Sequence, residues 1–138
     1  MNIKDMARNS TNEKNSKIYN IFRGSLVAIL ITIISLLIFS ILLTHTNISE
    51  KSIVPVITII TAVSILTGSI LSVSKIENRG LFNGALVGLI YILAIYILSS
   101  IINKNFAINL NSLILISSAV ISGMMGGIIG VNMNNKKR

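Results

Sequence analysis

The side chains of this chain that could transfer protons, bind a metal or attack a carbonyl are few and scattered. The carboxylates are Asp5, Glu13, Glu50 and Glu77, His45 is the single histidine, and there is no cysteine. Lack of cysteine excludes a disulfide scaffold, a thiolate metal site and a cysteine nucleophile. His45 and Glu50 share one loop, five residues apart, where an acid–base pair or two metal ligands are conceivable. Two groups make neither a closed metal site nor a triad, so the loop reads as solvated. Asn47-Ile48-Ser49 matches a glycosylation sequon, a motif short enough to arise by chance. The glycines near the C-terminus form no phosphate-binding loop, since no strand precedes them and no lysine follows at the required spacing. The expectation is a non-enzyme with no catalytic residue, metal or cofactor.

The elements that hold these residues explain the scarcity. Of 138 residues 52% are apolar and only 12% charged, against about 25% charged in an ordinary soluble domain. A soluble chain of this length, with a mean hydropathy of +0.81, could not bury so much apolar surface. A bilayer accepts it. Spans are expected at about 25–43, 53–73, 81–102 and 112–131, each near the roughly 20 helical residues that cross a hydrocarbon core. Pro55 falls in the first turn of the second span, where a missing N–H costs nothing. Residues 1–17 are polar, carry no apolar h-region and read as a disordered tail rather than a signal peptide. Ile18, Tyr19, Ile21 and Phe22 form an amphipathic lead-in to a membrane domain over 18–134, and residues 135–138 are a basic tail.

The net charge of +8 would suggest nucleic acid on a soluble protein. Here the basic residues flank apolar runs, so no nucleic acid is expected and anionic lipid headgroups are the expected partner. Lys4, Arg8, Lys14, Lys17, Arg23, Lys75, Arg79, Lys136, Lys137 and Arg138 fall on one side of the membrane, and only Lys51 and Lys104 on the other. By the positive-inside rule both termini and the second loop are cytoplasmic. No ionisable residue lies inside a span, which argues against a proton-coupled transporter. Small four-span multidrug transporters carry a carboxylate in the first span, and this chain has none there.

Each span carries a stripe of small residues on one face. The stripes are Gly24, Ala28, Thr32 and Ser35; then Thr58, Thr61, Ser64, Gly68 and Ser72; then Gly80, Gly84 and Gly88, with Tyr91 and Ser99 beyond; then Ala119, Ser122, Gly126 and Gly130, flanked by Gly123 and Gly127. Lipid tails are as apolar as leucine, so helices associate by close backbone approach, dispersion and modest hydrogen bonds. The stripes therefore read as packing faces, strongest in spans three and four, which should pack on each other or across a dimer. The competing reading is a polar path for a solute.

The two halves look alike. Arg23-Gly24 opens span one and Arg79-Gly80 opens span three, while Gly68 to Ser74 closes span two and Gly126 to Asn132 closes span four. Each half begins and ends on the same side, so a duplication would be a parallel repeat of two helix hairpins. Chance likeness between apolar helices is the alternative.

Arg23-Gly24-Ser25-Leu26, the stretch from Val56 to Ile70, Arg79-Gly80-Leu81-Phe82-Asn83-Gly84 running on through Gly88 to Tyr91, and the ending from Ile121 through Gly123, Gly126 and Gly130 to Val131 carry a resemblance. Together they resemble a family of small four-span membrane proteins of Gram-positive bacteria, labelled YrzE-like and otherwise a domain of unknown function. The likeness covers residues 18–134. It implies four spans and a bacterial plasma membrane, and it transfers no catalytic or binding residue. The expected fold is an all-α four-helix membrane bundle. The expected role is association through the glycine faces, as a homo-oligomer or a subunit of a membrane complex. The alternatives are a small permease or channel for an uncharged solute, using the Ser/Thr stripes and Tyr91, and a holin-like pore former.

Overall fold

In hydrocarbon every backbone N–H and C=O needs a partner within the protein, and an uninterrupted apolar helix supplies one. The computed structural model describes residues 2–75, 79–103 and 109–136. Lys137 and Arg138 of the basic tail, and the loop residues Glu77 and Lys104, lie outside the described residues. The chain forms α1 (Ile3–His45), α2 (Glu50–Val73), α3 (Gly80–Asn103) and α4 (Leu110–Lys136), with no strand among the described residues. All four are long and apolar enough to cross a membrane. Their outer faces are leucine and isoleucine, from Leu30, Leu37 and Ile41 on α1 to Leu113, Ile121 and Ile128 on α4. In water that surface would aggregate, whereas lipid solvates it.

The helices alternate in direction and form a four-membered ring. α1 packs on α2, α2 on α4, and α4 most extensively on α3, while α3 closes thinly back on α1. A further α2–α3 contact crosses the ring, and α1 and α4 do not meet among the described residues. The last turn of α2, the first turn of α3, the N-terminal part of α1 and the C-terminal end of α4 share one end. That end carries Arg23, Lys75, Arg79 and Lys136, all exposed, and is called the basic end below.

Two expectations need correcting. The composition of residues 1–17 predicts a disordered tail, but Ile3–Lys17 continues α1 as helix. Extending a formed helix by one residue fixes one residue for one hydrogen bond, and the costly nucleation is already borne by the span. Local bonds help: Ser10 and Thr11 donate to the Ala7 carbonyl oxygen, and Lys17 pairs with Glu13 at 2.8 Å. The hydrogen bond from the Lys17 ammonium and its charge hold the Glu13 carboxyl below its usual range. Nothing packs on this arm, and residues 2–16 are all exposed. The second correction concerns Pro55. α2 begins at Glu50, so Pro55 is its sixth residue and one helical hydrogen bond is forgone.

The core is small and sits near the middle of the bundle. Ala28, Ile65, Tyr91 and Ala119, one from each helix, form a fully buried cluster backed by Ile29, Ile92 and Ile95.

Candidate functional site: a closed half and an open half

All nine glycines of the chain lie in the half of the bundle nearer the basic end, and all are buried. A Cβ at Gly68 would stand 2.6 Å from the Gly24 carbonyl oxygen and 2.7 Å from the Ala28 Cβ. Gly80, Gly84 and Gly88 meet Gly127, Gly123 and Ala119 backbone to backbone along the α3–α4 seam. Gly126 and Gly130 turn a different way and lie on Leu66 and Ile70 of α2. The spans therefore use their glycine faces within one chain.

The two hairpins repeat the same contact. Gly24 lies against Gly68 and Ser72, and Gly80 lies against Gly127 and Val131. The structural counterpart of Gly68 inside its hairpin is thus Gly127, one residue beyond the match that sequence likeness suggests. Gly126 resembles Gly68 in its setting in the sequence but serves the α2–α4 contact.

Hydroxyls pin the seams. Ser69 on α2 donates to the Gly123 carbonyl oxygen of α4 at 2.8 Å. Ser72 donates to the Asn20 carbonyl oxygen of α1 at 2.8 Å. At the centre Tyr91, only 1% exposed, lies 2.9 Å from the Thr32 hydroxyl of α1. Thr32 already donates its one proton to the Ala28 carbonyl oxygen at 2.9 Å, so Tyr91 is the donor to Thr32. One phenol thereby joins α3 to α1. The sequence pattern marks Tyr91 as a neighbour of a glycine stripe and as a possible element of a solute path, not as a core residue. Its reach into the centre follows from its position one turn beyond Gly88, where the helices stop touching backbone to backbone.

Past Tyr91 the bundle opens. Among the described residues, none of α1 beyond Thr32, of α2 before Ser64, or of α4 before Ala119 is buried, and on α3 beyond Tyr91 only Ser100 is. The sequence explains this: runs such as Ile33-Ile34-Ser35-Leu36-Leu37 and Ile57-Thr58-Ile59-Ile60 hold backbones apart where glycine lets them close. Between α3 and α4 the gap forms a cavity of about 260 Å³ lined by Leu89, Ile92, Tyr96 and Ile116. Along α4 runs a shallow groove of about 450 Å³, where Ser117, Ser118 and Ser122 alternate with Leu113, Ile114 and Ile121. His45 and Glu50 end α1 and begin α2 at this open end, and both are exposed. Among the described residues no group of three or more His, Asp or Glu side chains is placed to hold a metal.

No curated protein and no solved structure matches the chain. A family model described as a protein of unknown function (DUF3792) matches residues 17–130, which takes in all four helices from the start of the membrane segment of α1 to the last glycine of α4. With more than four-fifths of its length matched, this four-span membrane bundle belongs to the DUF3792 family.

Proposed function

We propose that the protein is a non-enzymatic, YrzE-like protein of a bacterial plasma membrane that works by receiving another transmembrane helix, from a second copy or a larger complex, on its open half. The observation that carries this reading is the serine-bearing groove of α4. Ser118 and Ser122 are a small-xxx-small pair in the wall of this groove, Ser118 half-buried and Ser122 buried at its closed end, and Ser117 lies exposed beside them. Such pairs let a second backbone approach closely and supply hydroxyls for interhelical hydrogen bonds. The glycine faces, expected from sequence to serve this role, are filled by the chain itself. A solute path along the Ser/Thr stripes gains less support, since Tyr91, Ile65, Ala28 and Ala119 fill the centre where it would pass.

The natural absence of cysteine makes the test direct. Ser118→Cys, oxidised or crosslinked in native membranes, is expected to give a discrete dimer or one defined heteromeric band. Leu37→Cys, on the lipid face of α1, is expected to give neither. Equal yields from both positions, or monomer alone from both, would sink the association reading.

Orientation is tested on the same background. With ten basic residues on one side and two on the other, the termini are expected in the cytoplasm. A membrane-impermeant maleimide should label Thr46→Cys on intact cells and label Ser10→Cys only after lysis. The reverse pattern would invert the topology.

A further inference from the structure

At the basic end, where the α1–α2 glycine seam ends, the two helices enclose a cavity of about 150 Å³. Close approach of Gly24 to Ser72 makes its floor. Asn20 and Arg23 border it from α1, and Ser74 and Lys75 border it from α2. One turn deeper, about 6 Å along each helix, its wall becomes Val27 and Leu71. No carboxylate among the described residues lines it, and no ion pair joins Arg23 or Lys75 to another described residue. We propose that this cavity is a site for a phosphate group, carried by an anionic membrane lipid.

The chemistry follows from the lining. Arg23 offers a planar fork of donors suited to two phosphate oxygens, and Lys75 offers a compact charge from the opposite wall. Ser74 and Asn20 add neutral hydrogen-bonding groups at the rim. A soluble phosphate ester would be served by those groups alone. The apolar strip of Val27 and Leu71 distinguishes a lipid, because Leu71 is 54% exposed and lies where the first methylenes of an acyl chain would run. Polar rim and apolar wall stand in the order of a phospholipid entering the bilayer. Basic pockets between transmembrane helices are a recognised setting for anionic headgroups. The membrane's general attraction for basic residues needs no cavity, so the two sources of binding are separable.

The full-length protein in an uncharged detergent is titrated with phosphatidylglycerol, phosphatidylcholine, glycerol 3-phosphate and inorganic phosphate, with thermal shift and native mass spectrometry as readouts. Phosphatidylglycerol is expected to stabilise the wild type and to be retained as a single bound molecule, with phosphatidylcholine much weaker. Arg23→Gln with Lys75→Gln should weaken binding about thirtyfold, the value for two basic residues near a headgroup. Lys136→Gln, equally basic and at the same end, should change it by less than about twofold. Ser74→Trp, which fills the cavity and leaves every charge in place, should weaken binding like the double variant. Stabilisation by glycerol 3-phosphate or inorganic phosphate, with the same dependence on Arg23 and Lys75, would keep the phosphate chemistry and overturn the lipid as its carrier. Equal losses from Lys136→Gln and from the double variant, or unaltered binding in Ser74→Trp, would overturn the site itself.

Discussion

Gly127→Leu is expected to abolish the folded state in detergent, with the melting transition lost and the protein eluting as aggregate. A Cβ at Gly127 would collide with the Gly80 carbonyl and stand 2.9 Å from the Gly84 Cα, so every neighbour that would have to yield is backbone. The only relief is to separate α3 from α4, the most extensive helix pair in the bundle. Overpacking a well-filled core by a methylene or so costs about 1–3 kcal/mol, which sets the scale for Gly127→Ala; four carbons exceed what rotamer shifts can absorb. Gly130→Ala is the graded control. Its Cβ would meet the Ile70 carbonyl oxygen at 2.9 Å and the Ile70 Cα at 3.2 Å, with the Val73 Cβ in ordinary contact at 3.4 Å, so the overlap is milder and a smaller drop in melting temperature is expected. Ile128→Ala, on the lipid-facing side of the same turn, should be nearly neutral, because lipid tails already match what the side chain provides. Gly127→Ala melting with the wild type would mean that the α3–α4 seam does not hold the bundle together.

The glycine spacing alone makes that seam legible in the sequence. Gly80, Gly84 and Gly88 recur every fourth residue and can have only one physical use among apolar helices, which is to bring a neighbour close. The four spans are legible for the same reason, since nothing but a bilayer accommodates such runs. Register is not. Gly126 and Gly127 are adjacent, and one residue of helix is a turn of about 100°. The sequence therefore holds both the α2-facing and the α3-facing glycine in one motif and does not say which is which. The helical arm over Ile3–Lys17 is hidden because composition reports burial, and an exposed extension of a membrane helix buries nothing. The phosphate cavity is half visible: Arg23 and Lys75 stand out as topology charges, but their meeting across one opening depends on Gly24 lying against Ser72.

That polarity of packing, tight at the basic end and open beyond Tyr91, also fixes what the open half can do. A bundle glued along its whole length has no face to offer, and one with no glue has no defined shape to offer it from. Confining glycine to one half gives a rigid base and leaves apolar and serine-bearing surface at the other. The groove running from Ser122 at the boundary past Ser118 and Ser117, and the cavity of Leu89, Ile92, Tyr96 and Ile116, both open into that half.

Tyr91 stands at the boundary, and its substitution is the second large effect expected. Tyr91→Ala should lower stability by about 3–5 kcal/mol, the range for emptying a buried aromatic site, and should loosen the closed half as well. The phenol ring touches the cluster to which every helix contributes, so the cavity would lie where Ala28, Ile65 and Ala119 now find a common neighbour. Tyr91→Phe keeps the ring and removes only the hydroxyl. Thr32 would still donate to the Ala28 carbonyl oxygen, so no buried donor is stranded there. The expected cost is about 0.6 kcal/mol, with about 1.7 as the upper end for interhelical hydrogen bonds in membranes. Melting of the two variants in the same detergent, with Thr32→Val and the double variant Thr32→Val/Tyr91→Phe to close the cycle, separates volume from hydrogen bonding. If Tyr91→Phe cost as much as Tyr91→Ala, the centre would be held by its hydroxyls, and the Thr32–Tyr91 pair would have to be read as a polar element maintained for its own sake. A small Phe effect beside a large Ala effect would identify Tyr91 as the plug that ends the glycine seam, with the hydroxyl serving to orient it.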